Sequence, residues 1–196
     1  MNEQQVTNLL YEALETELGG EKIYASAVKC AKNEDLKEEW EKYLEETKHH
    51  QEVLLKVFDA LSLEANRETP GRKVVRTNAE ALLTMMSMAQ KEAPEAAEIV
   101  AAECVTLAET KDHLNWELIG RIGEHMKGPK GKALAEAYAE VEDQEDEHLY
   151  HTKGWTRELW IDSLGMPAVL PPPEEEKSVK TAIGAARAEQ SREEML

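Results

Sequence analysis

Two stretches of this 196-residue chain can bring metal-binding groups to one point. Glu145-Asp146-Glu147-His148 and Glu46-Thr47-Lys48-His49 each set a glutamate and a histidine three residues apart. On a helix such residues project from the same face. Each pair therefore offers a carboxylate oxygen and an imidazole nitrogen to a single cation. His50 follows His49 directly, so one of the two can face inward; the Glu-x-x-His spacing selects His49. In a chain this rich in Glu the two motifs alone are a weak signal. Their setting strengthens it, because both fall in apolar stripes, where a charge is costly unless it is paired or ligated.

The elements that must position these residues read as long helices. Residues 3 to 32 place Leu10, Leu14, Glu17, Leu18, Tyr24 and Val28 on one face, with Glu17 inside the apolar stripe. Asn33-Glu34-Asp35 makes a turn. A second helix runs to about Leu63, its stripe being Leu36, Trp40, Tyr43, Glu46 or Thr47, His50, Val53 or Leu54, Val57 and Leu61. Residues 64 to 77 read as loop, after which Thr77 or Asn78 caps a short helix to Lys91. A connection of that length suits a crossover to the other end of a bundle. Pro94 fits the first turn of a third long helix, to about Met126, whose inward candidates include Glu103, Glu109, His113 and Trp116. Gly128-Pro129-Lys130-Gly131 breaks the chain before a last helix from Lys132 to about Leu164, with Tyr138, Val141, Glu145, His148, Thr152 and Trp155 in its stripe. The expected domain spans residues 1–164. Residues 165–196 form a Pro-rich, then charged and Ala-rich tail, either disordered or strapped on a bundle.

Bulk composition narrows the function class. A formal charge of -17 repels nucleic acid and anionic membranes. No apolar run is long enough to span a bilayer, and the polar start (Asn2, Glu3, Gln4, Gln5) predicts no signal peptide. Cys30 and Cys104 are lone and far apart, giving neither a zinc knuckle nor a rubredoxin-type pair. Reduced thiols in a cytoplasm are the expectation, and a homodimer or larger homo-oligomer the default assembly.

Glu17 with Tyr24 seven residues on, Glu46 with His49, a glutamate on the third long helix, and Glu145 with His148 together resemble the ferritin-like superfamily, in its rubrerythrin and ferritin branches. The resemblance covers roughly residues 5 to 160. It implies an all-α, ferritin-like antiparallel four-helix bundle running up-down-down-up, with a short helix in the crossover between the second and third long helices. It implies two iron ions, with manganese the alternative, held by Glu17, Glu46, His49, Glu109, Glu145 and His148, with Glu46 and Glu145 as bridges. Glu109 fits the fold-back about residue 129 and has Trp116 seven residues on, while Glu103 is its rival. Tyr24 and Trp116 would lie close enough to tune or protect the site. The implied activity is a reaction with dioxygen or hydrogen peroxide, rubrerythrin-like but without a rubredoxin domain, fed by an unknown electron donor. Ferritin-type iron storage, a di-manganese catalase-like enzyme and a metal-free helical interaction module are the rivals.

Other candidates have plainer readings. Met85, Met86 and Met88 read as packing before a thioether copper site. Glu21 is a substitute for Glu17. His113 and Glu117 share a spacing used by hemerythrins, but the chain aligns too few histidines for that fold. His50, His125 and His151 read as exposed, and Trp40, Trp155 and Trp160 as packing.

Overall fold

The computed structural model describes residues 1–167. Among them are five helices and no strand: α1 (Glu3–Cys30), α2 (Glu34–Leu61), α3 (Pro70–Glu92), α4 (Ala97–His125) and α5 (Pro129–Ser163). None of the described helices is long and apolar enough to cross a membrane, and the expected Pro-rich and charged tail lies, beyond residue 167, outside the described residues.

Local chemistry sets the boundaries. Asn2 caps α1 by accepting from the Gln5 amide, and Asn33 caps α2 by accepting from the Asp35 and Leu36 amides. Glu98, at the start of α4, accepts from the Lys32 and Asn33 amides at 2.6 Å each, tying the α1–α2 turn to α4. Ser62 closes α2 in the left-handed region, with its amide turned back on the Asp59 and Phe58 carbonyls. Pro129 opens α5 after Gly128, whose φ of 84° a side chain would strain.

Cross-helix contacts give the directions. Trp116 of α4 meets Glu17 of α1, while Glu98 meets the far end of α1, so α1 and α4 are antiparallel. His50 meets Gln144 while Glu39 meets Trp155, so α2 and α5 are antiparallel. Thr106 meets Thr156 while His113 meets Asp146, so α4 and α5 are antiparallel. The four long helices therefore run up, down, down, up, and α3 returns the chain from bottom to top over α1 and α4.

The crossover differs from expectation. It holds no short helix but a 23-residue one that takes in half of the expected loop. Thr69 caps it by accepting from the Arg72 amide, and Pro70 sits at its first turn. The charged stretch that reads as solvent-facing loop is instead an anchor. Arg72 is buried, its Nε 2.7 Å from Glu15 and its Nη1 on the Ala65 carbonyl. Arg76 joins Glu15 to Glu68. Gly19 of α1 allows this approach, because a Cβ there would stand 2.8 Å from the Ala79 Cβ. Two boundaries also move: Pro94 lies in the turn before α4, and α5 begins at Pro129, ahead of Lys132.

The core is split. An upper cluster gathers Ile23, Tyr24, Tyr43, Val105, Ala108 and Trp155. A lower one gathers Leu14, Val53, Trp116, Leu134 and Val141. Each long helix passes from one cluster to the other across a short polar gap, and the four gaps lie level. Glu17, Thr47 with His50, Glu109 with Asp112, and Glu145 with His148 fill them.

Candidate metal centre

Four residues expected at the centre are buried there: Glu17, Glu109, Glu145 and His148. Each lies where its helix crosses the polar gap, so the stripe that packs the core also turns the carboxylate inward. Glu103 does not reach this layer; it accepts from Trp160 at the surface, and Glu109 takes the inward position.

Helix α2 departs from the Glu-x-x-His spacing. His49 has a side chain 40% exposed and points to Glu140, at 3.0 Å. His50 is fully buried in the layer. It continues the stripe of Leu36, Tyr43, Thr47 and Leu54, so packing periodicity overrides the motif. His151, expected at the surface, is also buried and meets Tyr43 and Glu39. Asp112 is the residue the sequence reading omits altogether. It sits three residues after Glu109 and four before Trp116, so it shares their face, and it is buried.

The two inward histidines have matching surroundings. His50 Nδ1 lies 2.9 Å from Glu145 Oε1 and 3.6 Å from Glu17 Oε1. His148 Nδ1 lies 3.7 Å from Glu109 Oε2 and 4.0 Å from Glu145 Oε1. The opposite nitrogens are held from behind: His50 Nε2 by Gln144 and His148 Nε2 by Glu46, both at 2.9 Å. Glu46 therefore contacts the far side of His148. Its side chain is 17% exposed and also lies 3.6 Å from Lys42. Trp116 Nε1 donates to Glu17 at 2.7 Å and its ring faces His50, while Tyr24 stands edge-on to His148. Beyond them Tyr43 packs at 4.2 Å on His148 and donates to Glu39, which also accepts from Trp155.

Two groups of donor atoms gather within 4.8 Å of one another: His50, Glu145 and His148, and Glu17, Asp112 and Glu145. Glu145 belongs to both. One oxygen each of Glu17, Glu109 and Asp112, and Oε2 of Glu145, are buried without a hydrogen-bond partner. Buried polar atoms are rarely left so.

The electrostatics follow. Burial pushes the Glu145 pKa up to about 7, aided by Glu109 and Glu17 and opposed by His50. Burial likewise holds Asp112 well above the carboxylate range, with the Glu17 and Glu145 charges adding to it. For the histidines burial opposes charge but the carboxylates outweigh it. Glu145 and Glu17 push His50 to about 11, and Glu109 and Glu46 push His148 to about 9. Burial and the Glu109 charge hold the Tyr24 phenol protonated.

No family model matches the chain, and no curated protein or solved structure matches it.

Proposed function

We propose that the chain is a ferritin-like di-metal carboxylate protein holding two iron ions, with manganese the alternative occupant, and reacting with dioxygen or hydrogen peroxide. The observation that carries the reading is the shared Glu145: two donor groups at one level of the core, drawn from all four long helices and meeting at one carboxylate.

The residues fit such an occupant. Glu17, Glu109, Asp112 and Glu145, once deprotonated, would bring about four negative charges into a low-dielectric layer, which two divalent cations would cancel. Oxygen donors with two imidazoles are a hard set, which favours iron or manganese. Glu17 with Asp112 would hold one ion, His50 and His148 with Glu109 beside them the other, and Glu145 would serve both. The bound pair would supply electrons to an oxygen substrate. The chain does the remaining work. Gln144 and Glu46 fix the imidazole rings by their outer nitrogens. Trp116 orients Glu17. The aromatic rings of Tyr24, Tyr43 and Trp116 wall the layer against bulk water.

The test is metal content of protein loaded anaerobically with ferrous or manganous ion. The expected result is about two ions per chain for the parent and for His49→Ala. His50→Ala loses about one, and Glu17→Ala with His148→Ala binds none. A parent that takes up no ion, with a double variant at least as stable as the parent, would sink the reading in favour of a metal-free helical module.

A further inference from the structure

We propose that cations reach the centre through an acidic cleft between α4 and α5, in which Glu117, Glu142 and Asp146 collect the ion and Glu145 receives it. The inference rests on the di-metal reading.

The cleft is small, about 10 Å³, roughly room for one water-sized sphere. His113, Glu117 and Trp116 line it from α4, and Tyr138, Glu142, Glu145 and Asp146 from α5. At one end the helices close tightly, because the Tyr138 ring lies across Gly120, where a Cβ would stand 2.6 Å from it. Glu145 belongs both to this lining and to the two donor groups of the centre. It is 2% exposed; its Oε1 lies 2.9 Å from His50 Nδ1, and its Oε2 is buried with no hydrogen-bond partner. One carboxylate thus faces the acidic cleft and the interior.

Charge pairing separates this face from the α2–α5 seam. There Lys42 lies 2.9 Å from Glu147 and 3.6 Å from Glu46, and Lys56 lies 3.9 Å from Glu140, whereas among the described residues no lysine or arginine lines the cleft. In the cleft Glu142 accepts from the neutral Tyr138 hydroxyl. Asp146 meets His113 at 2.7 Å, and Glu117 has Arg121 only at 4.0 Å, on a side chain 65% exposed. The cleft therefore keeps negative charge between low-dielectric helix walls, which focuses the field and raises the local cation concentration. Carboxylate oxygens one helical turn apart can replace an ion's waters in stages. The His113–Asp146 pair spans the two helices and must part to let the ion through.

The test is stopped-flow uptake of Co²⁺ by the metal-free full-length protein, followed by Co²⁺ absorbance at low salt. Glu117→Gln with Glu142→Gln and Asp146→Asn is compared with parent and with Glu140→Gln plus Glu147→Gln on the opposite seam. The expected result is a fall of about tenfold or more in the uptake rate constant for the triple variant. Stoichiometry stays the same, removal by EDTA slows in proportion, and the salt dependence of uptake flattens. The seam variant changes less than about twofold. Circular dichroism checks that the variants remain folded, and the salt dependence of the parent gives a reading that needs no variant. Unchanged uptake by the triple variant, or an equal loss in both variants, overturns the route while leaving the centre intact. A salt-independent parent rate does the same. A parent that binds no Co²⁺ overturns route and centre together.

Discussion

His50 and His148 turn their Nδ1 atoms to carboxylates and carry protons there in the metal-free protein, with pKa values near 11 and 9. A cation can use these nitrogens only after the protons leave. Ion binding should therefore release at least about two protons per chain between pH 6 and 8, the raised carboxyls of Asp112 and Glu145 adding to the two histidines. Affinity should rise at least on the order of a hundredfold per pH unit, and calorimetry in buffers of different ionisation heat would measure the release. A slope near zero would remove both histidines from the ligand set. The same groups set a stability window. Histidines with raised pKa stabilise the metal-free fold fully below their unfolded value of 6.5, and that contribution is lost as pH rises through about 9 and then about 11. Glu145, raised to about 7, acts in the same direction. Metal-free protein should thus lose stability on the alkaline side, as denaturant titrations at pH 7 and pH 10 would show. At this scale the sequence was partly legible. Glu17, Glu109, Glu145 and His148 follow from charge within an apolar stripe. The Glu-x-x-His motif points to His49 and the apolar stripe to His50, and the packing follows the stripe. Asp112 belongs to no Glu-x-x-His pair, and only its place three residues after Glu109 and four before Trp116 puts it on their face.

The elements are held in register by a few polar ties. Glu15 joins α1 to α3 through Arg72 and Arg76. Burial would raise its pKa, but the Arg76 and Arg72 guanidiniums outweigh that and hold it below its usual 4.5. Glu15→Gln should cost about 3 kcal/mol at pH 7, since it strands Arg72 in the interior. A depressed carboxylate gives stability that is present above its unfolded pKa and lost as pH falls through the folded value. The difference from parent should therefore shrink below about pH 4. Urea titration at pH 7 and pH 3.5 tests this, and a constant difference would mean that the pair contributes no net charge interaction. The long helices could be anticipated because apolar spacing and turn residues agree for each of them. The extent of α3 could not, because its first two turns bury an arginine. Their charge reads as loop until a partner on α1 is known, and Glu15 is distant in the chain. Thr69-Pro70 was the local sign, a cap followed by a residue suited to the first turn.

For the whole molecule, a layer of charge between two apolar halves is a cost that packing alone would not select. Filling it with apolar groups should stabilise the metal-free fold. Replacing the layer as a unit (Glu17→Gln, which keeps an acceptor for Trp116, with His50→Leu, Glu109→Leu, Asp112→Leu, Glu145→Leu and His148→Leu) is expected to raise unfolding free energy by about 1–4 kcal/mol, as seen when whole sets of buried ionic groups give way to well-packed hydrophobes. Thermal melts would then show a variant that gains stability but no longer responds to metal. The parent should gain about 2.7 kcal/mol when free metal is a hundredfold above its dissociation constant. A variant less stable than the metal-free parent would mean that the layer supports the bundle by itself.

The divided core also reverses a common pattern of backbone motion. Helices usually exchange their amide hydrogens first at the ends, where turns fray, and last in the middle. Here the apolar clusters grip the ends of the long helices and the charged layer lies at mid-length. Without metal, the amides around Glu17, His50, Asp112 and His148 should exchange before those near Leu10, Trp40 and Leu134. With metal bound the order should revert. The middle of the bundle would then be its most easily opened part, joining two halves that can breathe separately until a cation locks them together.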